Sequence, residues 1–265
     1  LNAQAYNTNN RFLRYLVVRT TQHNEVMLIL TTMQPDEAQR EAVTQLLTNL
    51  KSTGATSVYW TITKGTSDTS TGTIEAFLGT QSITDTIAGM QFKIDPQTFF
   101  QANTKLAGAL FERAAAFANG RVLDLCCGVG VASIICARKP QVTSVVGVEI
   151  NEQSITRAQE NRQTSNEKEK ISFVCADASA FLQKQPQEAF DTVICDPARP
   201  GLGAEAVAEL LRLRPKRIIY ISCNPSTQLR DLASLHQYRL SLVEGYDLFP
   251  QTLHVEVLAV LEREE

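Results

Sequence analysis

No stretch of this sequence approaches the run of about 18 apolar residues that a membrane-spanning helix needs, and no signal-like segment opens it, so membrane insertion and secretion find no support. Positive charge is not in excess either. With 25 Lys and Arg against 28 Asp and Glu the net charge is -3, so the chain lacks the basic surface that usually accompanies phosphate neutralisation. Any nucleic-acid contact must be local or supplied elsewhere. The six cysteines (Cys126, Cys127, Cys136, Cys175, Cys195 and Cys223) lack paired metal spacing, and most lie in or beside apolar strand-like runs. That argues against a disulfide framework and for a reducing compartment, so a cytoplasmic protein without a metal site is expected. There is no internal repeat and no low-complexity tract. Methionine is missing from the first position, held by Leu1, which suggests a processed or partial chain.

What is present is a 265-residue chain of 43% hydrophobic composition, enough for one large domain or two ordinary ones with a sizeable core. In the first third, Phe12 to Arg19 and Val26 to Thr31 read as a hairpin, and a helix opens at Pro35-Asp36-Glu37 and ends near Gly54. Ser57 to Thr63 then reads as a strand carrying the single Trp60. A polar loop runs from Lys64 to Thr73, before strand-like runs at Ile74 to Leu78 and Ser82 to Ile87. His23 and that loop suit a solvated surface better than a substrate contact. A boundary at Gly89 to Pro96 divides an α+β domain over residues 1–90 from a second domain over 91–265.

The second domain begins with a helix over Leu106 to Phe117, preceded by Gln101, which either caps a turn or offers its amide to a cofactor. The strand from Arg121 runs into Gly128-x-Gly130 and a helix from Val131, where glycines allow a tight turn and the close approach of a ligand. Ser133 holds the place of the third glycine of a dinucleotide fingerprint, which weakens a nicotinamide dehydrogenase reading. Asp124 before the glycines, Glu149 after the strand Val145 to Val148, and Asp177 after the strand Ile171 to Cys175 instead suit S-adenosylmethionine. Glu149 would take its ribose hydroxyls and Asp177 its adenine. The ordered set predicts a class I S-adenosylmethionine-dependent methyltransferase fold: α/β, a Rossmann-like doubly wound sheet, behind the smaller N-terminal α+β domain.

Further on, Asp196 ends the next strand in Asp196-Pro197-Ala198-Arg199, where it would touch methyl donor and acceptor together. Arg199 fits a phosphate, a target base or a surface ion pair. The strand Arg217 to Ile221 leads to Cys223, followed by Asn224-Pro225 and a helix with Ser226 or Thr227 as its N-cap. A thiol at the carboxyl edge of a strand sits where open α/β sheets place ligands, although free cysteine is also a common structural residue. Near the end, His254 and Glu256 alternate in a way that would put them on one face of the last strand, Val255 to Glu262. A carboxylate opening an apolar strand needs a partner or a function.

FFQAN (99–103), DLCCGVG (124–130), DPARPG (196–201), YISCNPSTQLRDL (220–232) and DLFPQTLHVE (247–256), in this order, resemble the RNA uracil-C5 methyltransferase family, the TrmA/RumA/RumB group. The likeness covers the chain from about Phe92 to its end. It implies that Cys223 is the nucleophile and Glu256 the general base, and that Gln101, Cys126 with Gly128 and Gly130, Glu149 and Asp196 hold S-adenosylmethionine. Two departures stand out: Cys126 replaces the aromatic that many members carry, and no iron-sulfur or TRAM segment is visible. The implied activity is methylation of carbon 5 of a uridine in looped RNA, 23S rRNA first and a tRNA T-loop as the alternative, with no obligate protein partner evident. A catalytically silent RNA-binding module is the other reading, and the presence of both Cys223 and Glu256 counts against it. The implied chemistry asks for a thiolate, which the helix start after Cys223 is expected to favour.

Overall fold

The computed structural model describes residues 12–64 and 72–264. Two compact units divide them. The first takes the described residues up to Thr86 together with Lys93–Thr98, and the second takes Ile87–Phe92 and the chain from Phe99 onward. The chain thus passes between units more than once inside residues 86–99.

In the first unit, β1 (Leu13–Thr20) and β2 (Val26–Thr32) pair antiparallel, as the hairpin pattern predicts. Helix α1 (Glu37–Ser52) follows, opened by a capping box: the Asp36 carboxylate accepts from the Gln39 amide at 2.7 Å, and the Gln39 side chain accepts from the Asp36 amide at 3.0 Å. That helix carries the chain across to β3 (Ser57–Ile62), which lies parallel to β2, and β4 (Thr73–Gly79) then closes the sheet in the order β1-β2-β3-β4. Parallel neighbours need such a crossover. Val43 and Leu47 of α1 bury Leu28, Leu30, Val58 and Trp60, so the tryptophan is a core residue. Most of the polar loop expected at 64–73 lies outside the described residues. His23 sits in the β1–β2 turn, its Nε2 2.9 Å from the Thr86 hydroxyl. Next come β5 (Ile83–Ile87) and β6 (Met90–Ile94), a two-stranded ribbon.

The second unit opens with α2 (Thr104–Ala116) and then alternates strand and helix: β7 (Gly120–Leu125), α3 (Val131–Ala137), β8 (Val142–Glu149), α4 (Glu152–Arg162), β9 (Ile171–Cys175), α5 (Ala178–Gln183), β10 (Thr192–Cys195), α6 (Gly203–Leu213), β11 (Arg217–Ser222), α7 (Pro225–Ser234), β12 (Tyr238–Tyr246) and β13 (Glu256–Arg263). They build a seven-stranded sheet in the order β12-β13-β11-β10-β7-β8-β9. Five strands are parallel, and β13 and β12 add antiparallel beyond β11. Side-chain alternation explains why both faces are dry. Val122, Ile194 and Ile219 pack with Leu110, Phe111, Ile134 and Ile135 of α2 and α3, while their neighbours Leu123, Val193 and Ile218 pack with Leu182, Val207 and Leu210 of α5 and α6. No described helix is long and apolar enough to cross a membrane. From β7 the chain moves outward through β8 and β9 and then returns to β10 on the other side. That reversal makes the carboxyl ends of β7 and β10 the place for a ligand.

The helix start after Cys223 differs from expectation. Asn224 is the N-cap of α7, its side chain accepting from the Ser226 amide at 3.2 Å, and neither Ser226 nor Thr227 caps. Pro225 explains the shift, since its fixed φ and missing N–H suit the first helical position.

Candidate active site

The loop after β7 is shaped by three left-handed residues in a short span: Cys126 (φ 62°), Gly128 (φ 52°) and Gly130 (φ 87°). The two glycines do different work. A Cβ on Gly130 would come 2.7 Å from Cζ of Phe173, so this glycine lets β9's aromatic ring pack under the loop. A Cβ on Gly128 would meet nothing within 4 Å, so this glycine faces open space, available to a ligand. Ser133 is fully buried and its hydroxyl donates to Asp124 at 2.5 Å, which accounts for a serine in the third-glycine position.

Glu149 bonds this loop, and other acceptors are free elsewhere in the same unit. Glu149 accepts from the Gly128 amide (3.2 Å) with one oxygen and from the Asn151 amide (2.9 Å) with the other. Asp124 is buried with its second oxygen unpaired, and Gln101, 7% exposed, has a buried carbonyl oxygen without a partner. Asp177 caps α5 through the Ala180 amide at 3.0 Å and is exposed. Burial lifts the Asp124 carboxyl to about 7, against the lowering effect of Ser133. Burial, with Glu149 and Asp196 next, pushes the Cys126 thiol up to about 12, so that sulfur is inert at neutral pH. Orphaned acceptors and carboxylates suit a ligand that brings donors, such as an ammonium, an amine or hydroxyls. A pyrophosphate would be repelled by the same set, which disfavours a dinucleotide. Among the described residues no group of three or more His, Cys, Asp or Glu is arranged to hold a metal.

On the other side of the switch point, β11 and β13 run antiparallel with Ser222 opposite Val257. Cys223 follows Ser222 directly, in a bend, and Glu256 directly precedes Val257. Cys223 is partly exposed, whereas Glu256 is 4% exposed at the start of β13. Burial raises the Glu256 carboxyl above its ordinary value. Asp196, beyond the end of β10, is raised well above its ordinary value by burial, with Glu256 and Asp124 adding repulsion. The three acids therefore form one electrostatically coupled group around the ends of β7, β10 and β13.

Two expectations fail here. The Cys223 thiol is pushed up: burial is the largest cause, Glu256 and Asp196 add to it, and Arg199 opposes. Nor do His254 and Glu256 share a strand face, because β13 begins only at Glu256 and His254 lies exposed in the preceding loop. The His254 Nδ1 instead sits 2.9 Å from a terminal nitrogen of Arg199.

The structure brings Cys223, Glu256, Asp196 and Arg199 together, and separately groups Asp124, Cys126, Gly128 and Glu149 around one loop. Buried Asp231 escaped the sequence reading. It accepts from the Tyr220 hydroxyl (2.7 Å) and the Leu202 amide (2.8 Å) and is bridged by Arg230 (2.7 Å), tying α7 to the turn that follows Arg199. A polar residue at a helical position facing an apolar strand was the available signal.

The family model described as tRNA (uracil-5-)-methyltransferase matches residues 20–264. An uncharacterized RNA methyltransferase of Staphylococcus aureus is 36% identical over 257 residues, covering 94% of this chain and 56% of its own length. The 23S rRNA (uracil(747)-C(5))-methyltransferase RlmC of Vibrio cholerae is 39% identical over 197 residues, covering 72% of this chain and 52% of its own. Among solved structures, the tRNA (uracil-54, C5)-methyltransferase of Pyrococcus abyssi in complex with S-adenosyl-L-homocysteine superposes with a TM-score of 0.76 at 33% identity, covering 94% of this chain and 60% of that one. The chain spans little more than half the length of these relatives. The likeness bears out the expected fold class, and with nearly the whole sequence matched, the chain belongs to the tRNA (uracil-5-)-methyltransferase family.

Proposed function

We propose that this chain carries the catalytic part of an enzyme that methylates carbon 5 of a uridine in RNA, with S-adenosylmethionine as the methyl donor and 23S rRNA as the first substrate to test. The observation that carries the reading is the gathering of buried Glu256 and Asp196 around Cys223 at neighbouring strand ends. Gln101, Asp124, Gly128 and Glu149 would hold the cofactor, whose donors match the free acceptors of Gln101 and Asp124, with Asp177 at the rim and Asp196 toward the target. S-adenosylmethionine supplies an electrophilic methyl group on a sulfonium.

The residues of the chain do the rest. Carbon 5 of uracil is a weak nucleophile, so Cys223, once its proton has passed to solvent, adds as a thiolate to carbon 6 and gives carbon 5 enolate character. After carbon 5 has gained its methyl group, Glu256 takes the proton from that carbon. The electron pair re-forms the double bond and expels the Cys223 thiolate. A raised carboxyl suits this base, because proton uptake is more favourable than for an ordinary solvated glutamate. The target base must leave its stack, which costs least in loops. The proposed setting is the cytoplasm, where a reduced Cys223 and RNA coexist.

A tRNA uridine is the second reading, favoured by the likeness to the Pyrococcus abyssi enzyme along 94% of the chain. Methyl transfer from labelled S-adenosylmethionine to 23S rRNA and tRNA transcripts, followed by nucleoside analysis, tests both. The appearance of 5-methyluridine supports the reading and its transcript names the substrate. Its absence from both, with the cofactor bound, counts for the silent module.

A further inference from the structure

Arg199 is the cation that opposes Glu256 and Asp196 at the Cys223 thiol, and it is held at two points. Its backbone carbonyl accepts from the Asn224 side-chain amide at 3.2 Å and from the Thr227 hydroxyl at 3.0 Å, both just after Cys223. Its guanidinium reaches the His254 Nδ1 at 2.9 Å. A guanidinium only donates, so Nδ1 is the acceptor in this contact.

His254 is itself fixed. Its backbone amide donates to the Thr252 hydroxyl (3.1 Å), which donates in turn to the Phe249 carbonyl (2.7 Å), and its ring meets the Phe249 ring edge-on at 6.3 Å. Without that acceptor, an exposed arginine would lose one of its two anchors and sample many rotamers.

We propose that His254 is a positioning residue: it holds the Arg199 guanidinium beside Cys223 and serves the addition step through Arg199, not as a base. This rests on reading Cys223 as the nucleophile. The Nδ1 lone pair is spent on the guanidinium, so proton removal from carbon 5 is left to Glu256.

The test uses the full chain without RNA or cofactor and follows iodoacetamide alkylation of Cys223 by peptide mass spectrometry, with exposed Cys175 as the internal control. His254→Ala should slow Cys223 alkylation near neutral pH by roughly two- to fivefold and move its pH profile upward. Arg199→Ala should do the same, and the double variant should be no slower than either single one. His254→Asn should restore most of the rate, because its amide oxygen can accept where Nδ1 does. An unchanged Cys223 rate in His254→Ala would overturn the proposal, as would an equal slowing by His254→Ala when Arg199 is already gone. Failure of the nucleophile reading is seen separately, as an absent adduct with 5-fluorouridine RNA while these alkylation differences persist.

Discussion

Glu256, the first residue of β13, lies near enough to Cys223, the residue that follows β11, to raise its thiol together with Asp196. Addition and proton removal need these two groups together, and the pairing of β11 with β13 brings the chain segments that carry them side by side.

Replacing Glu256 by Gln keeps the shape and removes the base. Turnover is expected to fall by about 10²- to 10⁴-fold, and a methylated protein–RNA adduct should accumulate on a denaturing gel. Cys223→Ala should give no adduct and no product while binding S-adenosylmethionine as before, measured by calorimetry.

Asp124 links the site to pH-dependent stability. Burial, the dominant cause, lifts its carboxyl from 3.8 to about 7, so the folded state keeps a proton that the unfolded chain releases above about pH 4. That stabilisation is complete below the unfolded value and is lost as the pH rises toward 7. Asp124→Asn should flatten the fall in Tm between about pH 4 and pH 7, read by thermal denaturation without cofactor. Asp196 and Glu256 shift the same way, so some slope remains.

The two loop glycines should separate in their effects. Gly130→Ala sets a Cβ 2.7 Å from Phe173 at a left-handed φ and should cost about 2 to 4 kcal/mol of stability. Gly128→Ala meets no protein atom within 4 Å and should cost about 1 kcal/mol, yet weaken S-adenosylmethionine binding more than it lowers Tm. Denaturant titration and calorimetry on both variants check this.

Asp231 is 3% exposed and accepts from the Tyr220 hydroxyl and the Leu202 amide. Tyr220→Phe removes one donor from a buried carboxylate and should destabilise by about 1 to 3 kcal/mol. The turn after Arg199 loses part of its anchor, so 5-methyluridine formation should also slow, measured alongside denaturant unfolding.

Strands and helices of the second unit were legible because each carries its own signal. The buried parallel strands read as short apolar runs, Glu152 to Arg162 and Ile171 to Cys175 appear where their patterns place them, and Gly-rich turns mark the ligand edge. Cys223 and Glu256 were legible as neighbours only through family resemblance, because 32 intervening residues separate them and the pairing of β11 with β13 is a property of the sheet. The Cys223 environment was misread for the same reason. A helix start is local and visible in sequence, whereas the burial that raises the thiol most, and the two acids that add to it, come from the tertiary structure. His254 was placed on a strand by alternation alone, and the turn closed by Thr252 and Phe249 delays that strand to Glu256.

The most direct test of the account incubates the chain with S-adenosylmethionine and 5-fluorouridine-substituted 23S rRNA or tRNA transcripts, then resolves the products on a denaturing gel. Fluorine at carbon 5 cannot be removed as a proton, so the cycle should stall after Cys223 has added and the methyl group has been transferred. The account predicts a covalent protein–RNA band that carries the methyl label and is lost in Cys223→Ala. A band that persists in Cys223→Ala, or no band at saturating RNA with the cofactor bound, would contradict it.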